Sequence, residues 1–245
     1  MQLIHLRKAI KVGFVGSLLL VAVSWHLKGQ FVDSSEIDPA LANIPLQTAT
    51  REGEFSFAYK GKVCRAKPVA KYELWGLVVS HNNIESMADL VHDSTSVDTK
   101  DLCVIWGKNV ASNEFHEVDY TSGQFTCYFR YPHGTKFHHN ALGNNHLITD
   151  RQAIRDQIAA IRIGDQVRLE GLLVNYQMDD WEGFWRKTSK VRNDSGCEVI
   201  FVREVEVLRR GTPFWYAAFD WGKMMLLLLP AVYLFVVWLE ARNPE

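Results

Sequence analysis

The chain has 245 residues, 47% of them hydrophobic, with a formal net charge of −1 at pH 7. So near-neutral a balance leaves no electrostatic footprint for nucleic acid, and no nucleic-acid partner is expected. Once two strongly apolar ends are set aside, the length allows one moderate domain, or one domain with an insertion.

Residues 9–27 (AIKVGFVGSLLLVAVSWHL) form a near-continuous apolar run. A helix needs about 20 such residues to cross a bilayer core. Arg7, Lys8 and Lys11 precede or open the run, and Lys28 followed by Asp33, Glu36 and Asp38 comes after it. Positive charge is retained on the cytoplasmic side, so residues 1–8 are expected in the cytoplasm and the middle of the chain outside. The charged start and apolar stretch also fit a cleavable signal peptide. However, the run ends in Ser24-Trp25-His26-Leu27-Lys28, which lacks the small-x-small cleavage pattern, so an uncleaved anchor is expected.

Residues 28–70 read as a linker and strand region. Pro39 and Pro45 break any long element in 29–50, and 54–63 alternates apolar with polar residues as the start of a hairpin. Three strands are predicted at 72–80, 101–107 and 124–131, with a long polar loop at 81–100 holding a short helix at 84–91. A helix follows, capped by Thr149 or Asp150. Its apolar face is built by Ile154, Ile158 and Ile161, and it stops at Gly164. A fourth strand spans 166–176, then a Trp-rich loop or hairpin 177–196, then a fifth strand 198–208 with a bulge near Arg203. Phe214, Trp215, Tyr216, Phe219 and Trp221 make an aromatic belt in an interfacial segment, 209–223. A second span, 224–240, and a cytoplasmic tail, 241–245, complete the plan. Arg209, Arg210 and Lys223 precede that span and only Arg242 follows it, against the proposed orientation; the first span is given the greater weight because it usually dominates topology.

Three strands, a helix and two strands in that order resemble the OB-fold, a Greek-key barrel, as does the segment 163–171 (IGDQVRLEG) leading into the fourth strand. The expected fold class is therefore mainly β (α+β): an OB-like five-stranded barrel with one helix over 71–208, flanked by two transmembrane helices. A different small β-barrel or sandwich is the alternative. Trp106-Gly107, Asn144-Asn145-His146-Leu147-Ile148 and the 164–171 segment are similar to an uncharacterised group of bacterial membrane-anchored proteins. That resemblance implies a setting, the bacterial inner membrane with the main domain periplasmic, and no activity.

All four cysteines, Cys64, Cys103, Cys127 and Cys197, lie between the spans. An even count outside the cytoplasm points to disulfides, with Cys103–Cys127 and Cys64–Cys197 the expected pairs. No spacing signals a structural zinc site. The densest chemistry lies in 131–148 (YPHGTKFHHNALGNNHLI), which carries His133, His138, His139 and His146. Convergence of three of them, completed by Asp150, Glu114 or Glu117, would hold zinc. Against this, His133 sits in a Pro-His-Gly turn, His138 and His139 would point to opposite faces, and no motif forces convergence. Asn144, Asn145 and His146 read as a turn and cap before the helix, with His146 structural.

Asp179, Asp180, Glu182 and Asp194 near Trp181 and Trp185 could suggest a sugar site, but read better as a solvated loop tip. Trp75 and Trp106 belong in the core, whereas Trp181 and Trp185 are contact candidates. The expectation is thus a non-enzymatic binding or scaffolding module, with the membrane and another envelope protein as partners and no cofactor. Trp181, Trp185, Asn145 and His146 are its candidate binding residues. The alternative is a metal-dependent enzyme or metal-binding protein using residues 133–146.

Overall fold

A computed structural model describes residues 2–59, 61–82, 97–123, 126–191 and 196–242. The predicted helix at 84–91 and Asp194 lie outside them. The chain divides into two units, 1–30 with 212–245, and 31–211.

The first unit consists of α1 (Gln2–Leu27) and the last helix of the chain, Pro213–Arg242. Both are long and apolar enough to cross a membrane. They pack antiparallel: Arg7 pairs with Glu240 at 2.9 Å, Gly13 lies against Leu229, and Gly222 meets Val21. Glycines at these places let the two backbones approach, the usual device where no hydrophobic effect separates helix from lipid. The aromatic stretch 214–221, within the segment 209–223 expected at the interface, is helical and continuous with the second apolar run.

The second unit is mixed α+β, built on a seven-stranded sheet. Two short 3-10 turns, Ser34–Glu36 and Pro39–Ala42, are capped by Asp33 and Asp38. β1 (Leu46–Thr48) and β2 (Phe55–Tyr59) follow, both pairing antiparallel with β3 (Lys62–Asn82). β3 is one strand of 21 residues where a hairpin arm and a separate strand were expected. It continues through Pro68 because a register shift between Pro68 and Ala70 falls there, where the proline's missing N–H costs no ladder bond.

β4 (Lys100–Ile105) pairs with the far end of β3. β5 (Asp119–Ser122) and β6 (Cys127–Arg130) pair only with each other, as a separate two-stranded sheet. Of the predicted third strand, 124–131, residues 124 and 125 lie outside the described residues, and Cys127–Arg130 pairs with β5 instead of the main sheet. Its place is taken by β7 (Leu142–Ile148), which pairs antiparallel with β4. The turn and cap expected at Asn144-Asn145-His146 are the middle of this buried strand. α2 (Gln152–Ala159) starts after Arg151 and ends four residues before the expected stop; Gly164, at φ +89°, makes the following turn.

β8 (Gln166–Met178) runs antiparallel along β3 from Leu77–Gln166 to Cys64–Met178. β9 (Glu198–Arg209) is antiparallel to β8 and parallel to β7. The ladder skips Arg203, which is the predicted bulge. Pairings thus run β3–β4–β7–β9–β8 and return to β3.

The main core, with Leu74, Val78, Leu102, Trp106, Leu147, Leu169 and Ile200, is covered by Ile154, Ile158 and Ile161 of the α2 segment. A second cluster gathers Phe57, Cys64, Tyr176 and Phe201, and a third gathers Leu41, Val79, Cys103, Phe115 and Cys127. Trp106 is in the core as expected, and Trp75 packs half-buried against the third cluster.

Candidate functional site

The feature with the most chemistry is a buried polar network that threads four parts of the second unit. β4 contributes Asp101, directly opposite His146 of β7 in the antiparallel register. His146 Nδ1 lies 2.6 Å from Asp101 Oδ1. On the other side of the ring, Arg186 Nη2 lies 2.6 Å from His146 Nε2. An arginine has only donors, so Nε2 accepts, and Nδ1 carries the proton and donates to Asp101. Arg186 also reaches Asp98 at 3.4 Å, and the Tyr176 hydroxyl donates to the same carboxylate at 3.4 Å. Reciprocal backbone bonds of 3.0 and 2.8 Å between Tyr176 and Arg186 pin the 179–191 loop to β8.

His146 is 0% exposed, Asp101 1% and Asp98 2%. Burial, then the Asp98 carboxylate, raises the Tyr176 hydroxyl well above the ordinary phenol range, so it stays a donor. With both ring nitrogens engaged, His146 offers no lone pair to a metal, and the network reads as a structural lock.

Two more titratable groups lie at this end of β4. Lys100 donates to the Ala159 and Ile161 carbonyls at 3.1 and 2.6 Å, satisfying the C-terminal end of α2. Burial brings its ammonium down to about 8. His81, next to Leu102 across the β3–β4 ladder, is pushed down to about 4, chiefly by burial and then by Lys100.

An unfolded His81 takes its proton near pH 6.5. Its neutral form in the fold therefore contributes full stability above pH 6.5, lost as the pH falls through about 4. Between those limits the wild-type unfolding free energy should fall by about 2–3 kcal/mol more than that of His81→Gln. Denaturant titrations at a series of pH values measure both, and equal acid slopes would exclude His81 as the cause.

The other predicted histidines do not join His146. His133 is exposed in its turn beside Gly134, at φ +102°. The His138 backbone N–H donates to Asn109 Oδ1. His139 is exposed and its Nε2 meets the Tyr131 hydroxyl at 2.9 Å. Glu117 accepts from the Thr135 hydroxyl and Glu114 from the Lys136 N–H. Among the described residues no three His, Cys, Asp or Glu side chains are grouped to hold a metal ion. Asn145 is 1% exposed and donates to the Leu102 and Gly143 carbonyls, so it is unavailable as a contact residue.

Trp181 and Trp185 are half-buried. Trp181 packs on Tyr176 and Phe184, each 5.4 Å away between centroids, and the Arg65 guanidinium lies 5.6 Å over Trp185. Phe184 is 60% exposed. Asp180 pairs with Lys62 at 2.6 Å, and Asp179 accepts from the Val63 N–H. These carboxylates fix the loop to the end of β3.

Cys103 and Cys127 form a disulfide with Cα atoms 5.8 Å apart. Cys64 and Cys197 carry thiols, contrary to the expected second bridge. Cys64 is held in the second core cluster against Met178 of β8, whereas Cys197 precedes β9 beside Asn144 of β7. Burial raises both thiols, Cys64 to about 12.

The chain matches no protein-family model, and comparison with curated proteins and with solved structures finds no match.

Proposed function

We propose that this is a two-span inner-membrane protein whose periplasmic domain, an OB-like five-stranded barrel with one helix, is a non-enzymatic binding or scaffolding module for another envelope protein. The return of the pairing to β3, the parallel β7–β9 contact and the helix between the third and fourth strands of that circuit support the barrel reading. The Cys103–Cys127 bridge favours an oxidising compartment. Antiparallel packing that sets Arg7 beside Glu240 favours both chain ends on one membrane face.

The observation that carries the functional reading is the contrast between the locked interior and the loop it holds. Asp98, Asp101, His146 and Arg186 are joined in one buried network, while the loop pinned by Arg186 presents Phe184 to solvent between two half-buried tryptophans. Rigid aromatic residues at a surface are the usual centres of protein interfaces. In growing cells, a photo-crosslinking residue at Phe184 should give an adduct of one defined mass with an envelope protein, weakened by Trp185→Ala. The same residue at exposed Glu206 should give none. Equal labelling at the two positions would reject this surface and the reading built on it.

A further inference from the structure

We propose that Cys197 and the Cys103–Cys127 bridge form one thiol–disulfide exchange site, in which Cys127 passes from Cys103 to Cys197 across the side-chain amide of Asn144. The strand register sets these residues in a row. Cys103 of β4 lies opposite Asn144 of β7, and Asn145 lies opposite Glu198 of β9, which puts Cys197 in the next place beyond Asn144. Neighbouring strands are about 4.8 Å apart, so the two cysteines flank the asparagine at similar intervals. Cys127 leans over the row from β6. Its Sγ is 3.5 Å from Asn144 Oδ1, while Asn144 Nδ2 donates to Cys197 Sγ at 3.4 Å. A single amide therefore touches the bridge on one side and a thiol on the other.

Two further facts make the transfer practicable. Cys127 belongs to the small β5–β6 sheet, so no ladder of the main sheet holds it over Cys103. Cys197 is half-buried and within reach of solvent, whereas Cys64 is 1% exposed in another cluster.

In the exchange, Cys197 loses its proton and the thiolate attacks Cys127 Sγ in line with the bridge. The Cys127–Cys197 bond forms as the Cys103–Cys127 bond breaks, and Cys103 leaves as a thiolate that takes up a proton. One disulfide and one thiol exist before and after, so no oxidant or reductant is consumed. The β5–β6 sheet then changes its tether from β4 to the start of β9. The Cys197 carbonyl accepts from Ser189 N–H at 2.9 Å, so the new tether adjoins the aromatic loop.

The test is disulfide mapping by peptide mass spectrometry on the full chain in detergent, acid-quenched and alkylated with N-ethylmaleimide. In Cys103→Ser treated with glutathione disulfide, which is reduced to two glutathione thiols as the bond forms, the expected product is a Cys127–Cys197 bridge with Cys64 alkylated. In wild type exposed briefly to a trace of glutathione, a minor Cys127–Cys197 species with alkylated Cys103 should appear. It should grow in Asn144→Ala and vanish in Cys197→Ser. The wild-type experiment decides the matter even if Cys103→Ser does not fold. Recovery of only Cys103–Cys127 from every glutathione-treated sample that keeps Cys103 would overturn the proposal. So would Cys64 bridges forming as often as Cys197 bridges, which would mean unfolding and random scrambling.

Discussion

Replacing His146 with alanine is expected to destabilise the second unit by about 3–5 kcal/mol, the range for breaking a buried polar or ionic pair from one side. The ring leaves behind the Asp101 carboxylate, which it supplies with a proton at 2.6 Å, and the Arg186 guanidinium, whose Nη2 it accepts at 2.6 Å. It also leaves a void at a position with no solvent exposure. His133→Ala and His139→Ala should each stay within about 0.5 kcal/mol, as exposed loop substitutions do. Urea unfolding of the full chain in detergent, followed by tryptophan fluorescence, separates these cases. A comparable loss in all three histidine variants, accompanied by loss of a bound zinc ion, would establish the metal reading instead.

Gly171→Ala should be as damaging for a different reason. A Cβ built there would stand 2.1 Å from the Phe201 carbonyl oxygen and 3.1 Å from Val202 Cα. The obstacle is backbone, so no rotamer change relieves it, and β8 and β9 must part just where the ladder steps over Arg203. The expected cost is about 3 kcal/mol or more. Gly53→Ala, where nothing lies within 4 Å, should be neutral or slightly stabilising and is the natural control. Thermal melts of the two variants beside wild type measure the difference, and similar melting temperatures would refute the close approach.

Residues whose local pattern agrees with their place in the fold were readable in advance. β4, β8 and β9 are dense in β-branched and apolar side chains, α2 carries isoleucines at helical spacing, and the terminal helices are long apolar runs. β7 was not readable, because Gly143-Asn144-Asn145-His146 is turn chemistry by local propensity. What makes it a strand is distant: Asp101, Leu102 and Arg186 bond to His146 and Asn145 once β4 and the 179–191 loop are in place. Pro68 hid the continuity of β3 in the same way, because the bulge that admits it depends on β8.

The site was half legible. His146 stood out, but as a residue before a helix and not as the centre of a buried network. Nothing around Arg186 announces that its side chain turns inward. Spacing and alternation sufficed for Cys103–Cys127, both on strands facing one cluster. The remaining two cysteines were paired by elimination, which carries no geometric information.

The long strand β3 also sets the order in which the domain can be made. One of its edges is covered early, by β2 and β1, which precede it, and by β4, which follows. The other edge belongs to β8 from Cys64 to Leu77, and β8 is synthesised only after β4, β7 and α2. Until then a strand of 21 residues offers an open row of amides and carbonyls to any neighbouring chain. Contacts this remote in sequence slow folding and prolong that exposure. Until β8 arrives that edge can mispair, so the yield of folded protein should depend on holdase chaperones during synthesis more than on the stability of the finished domain.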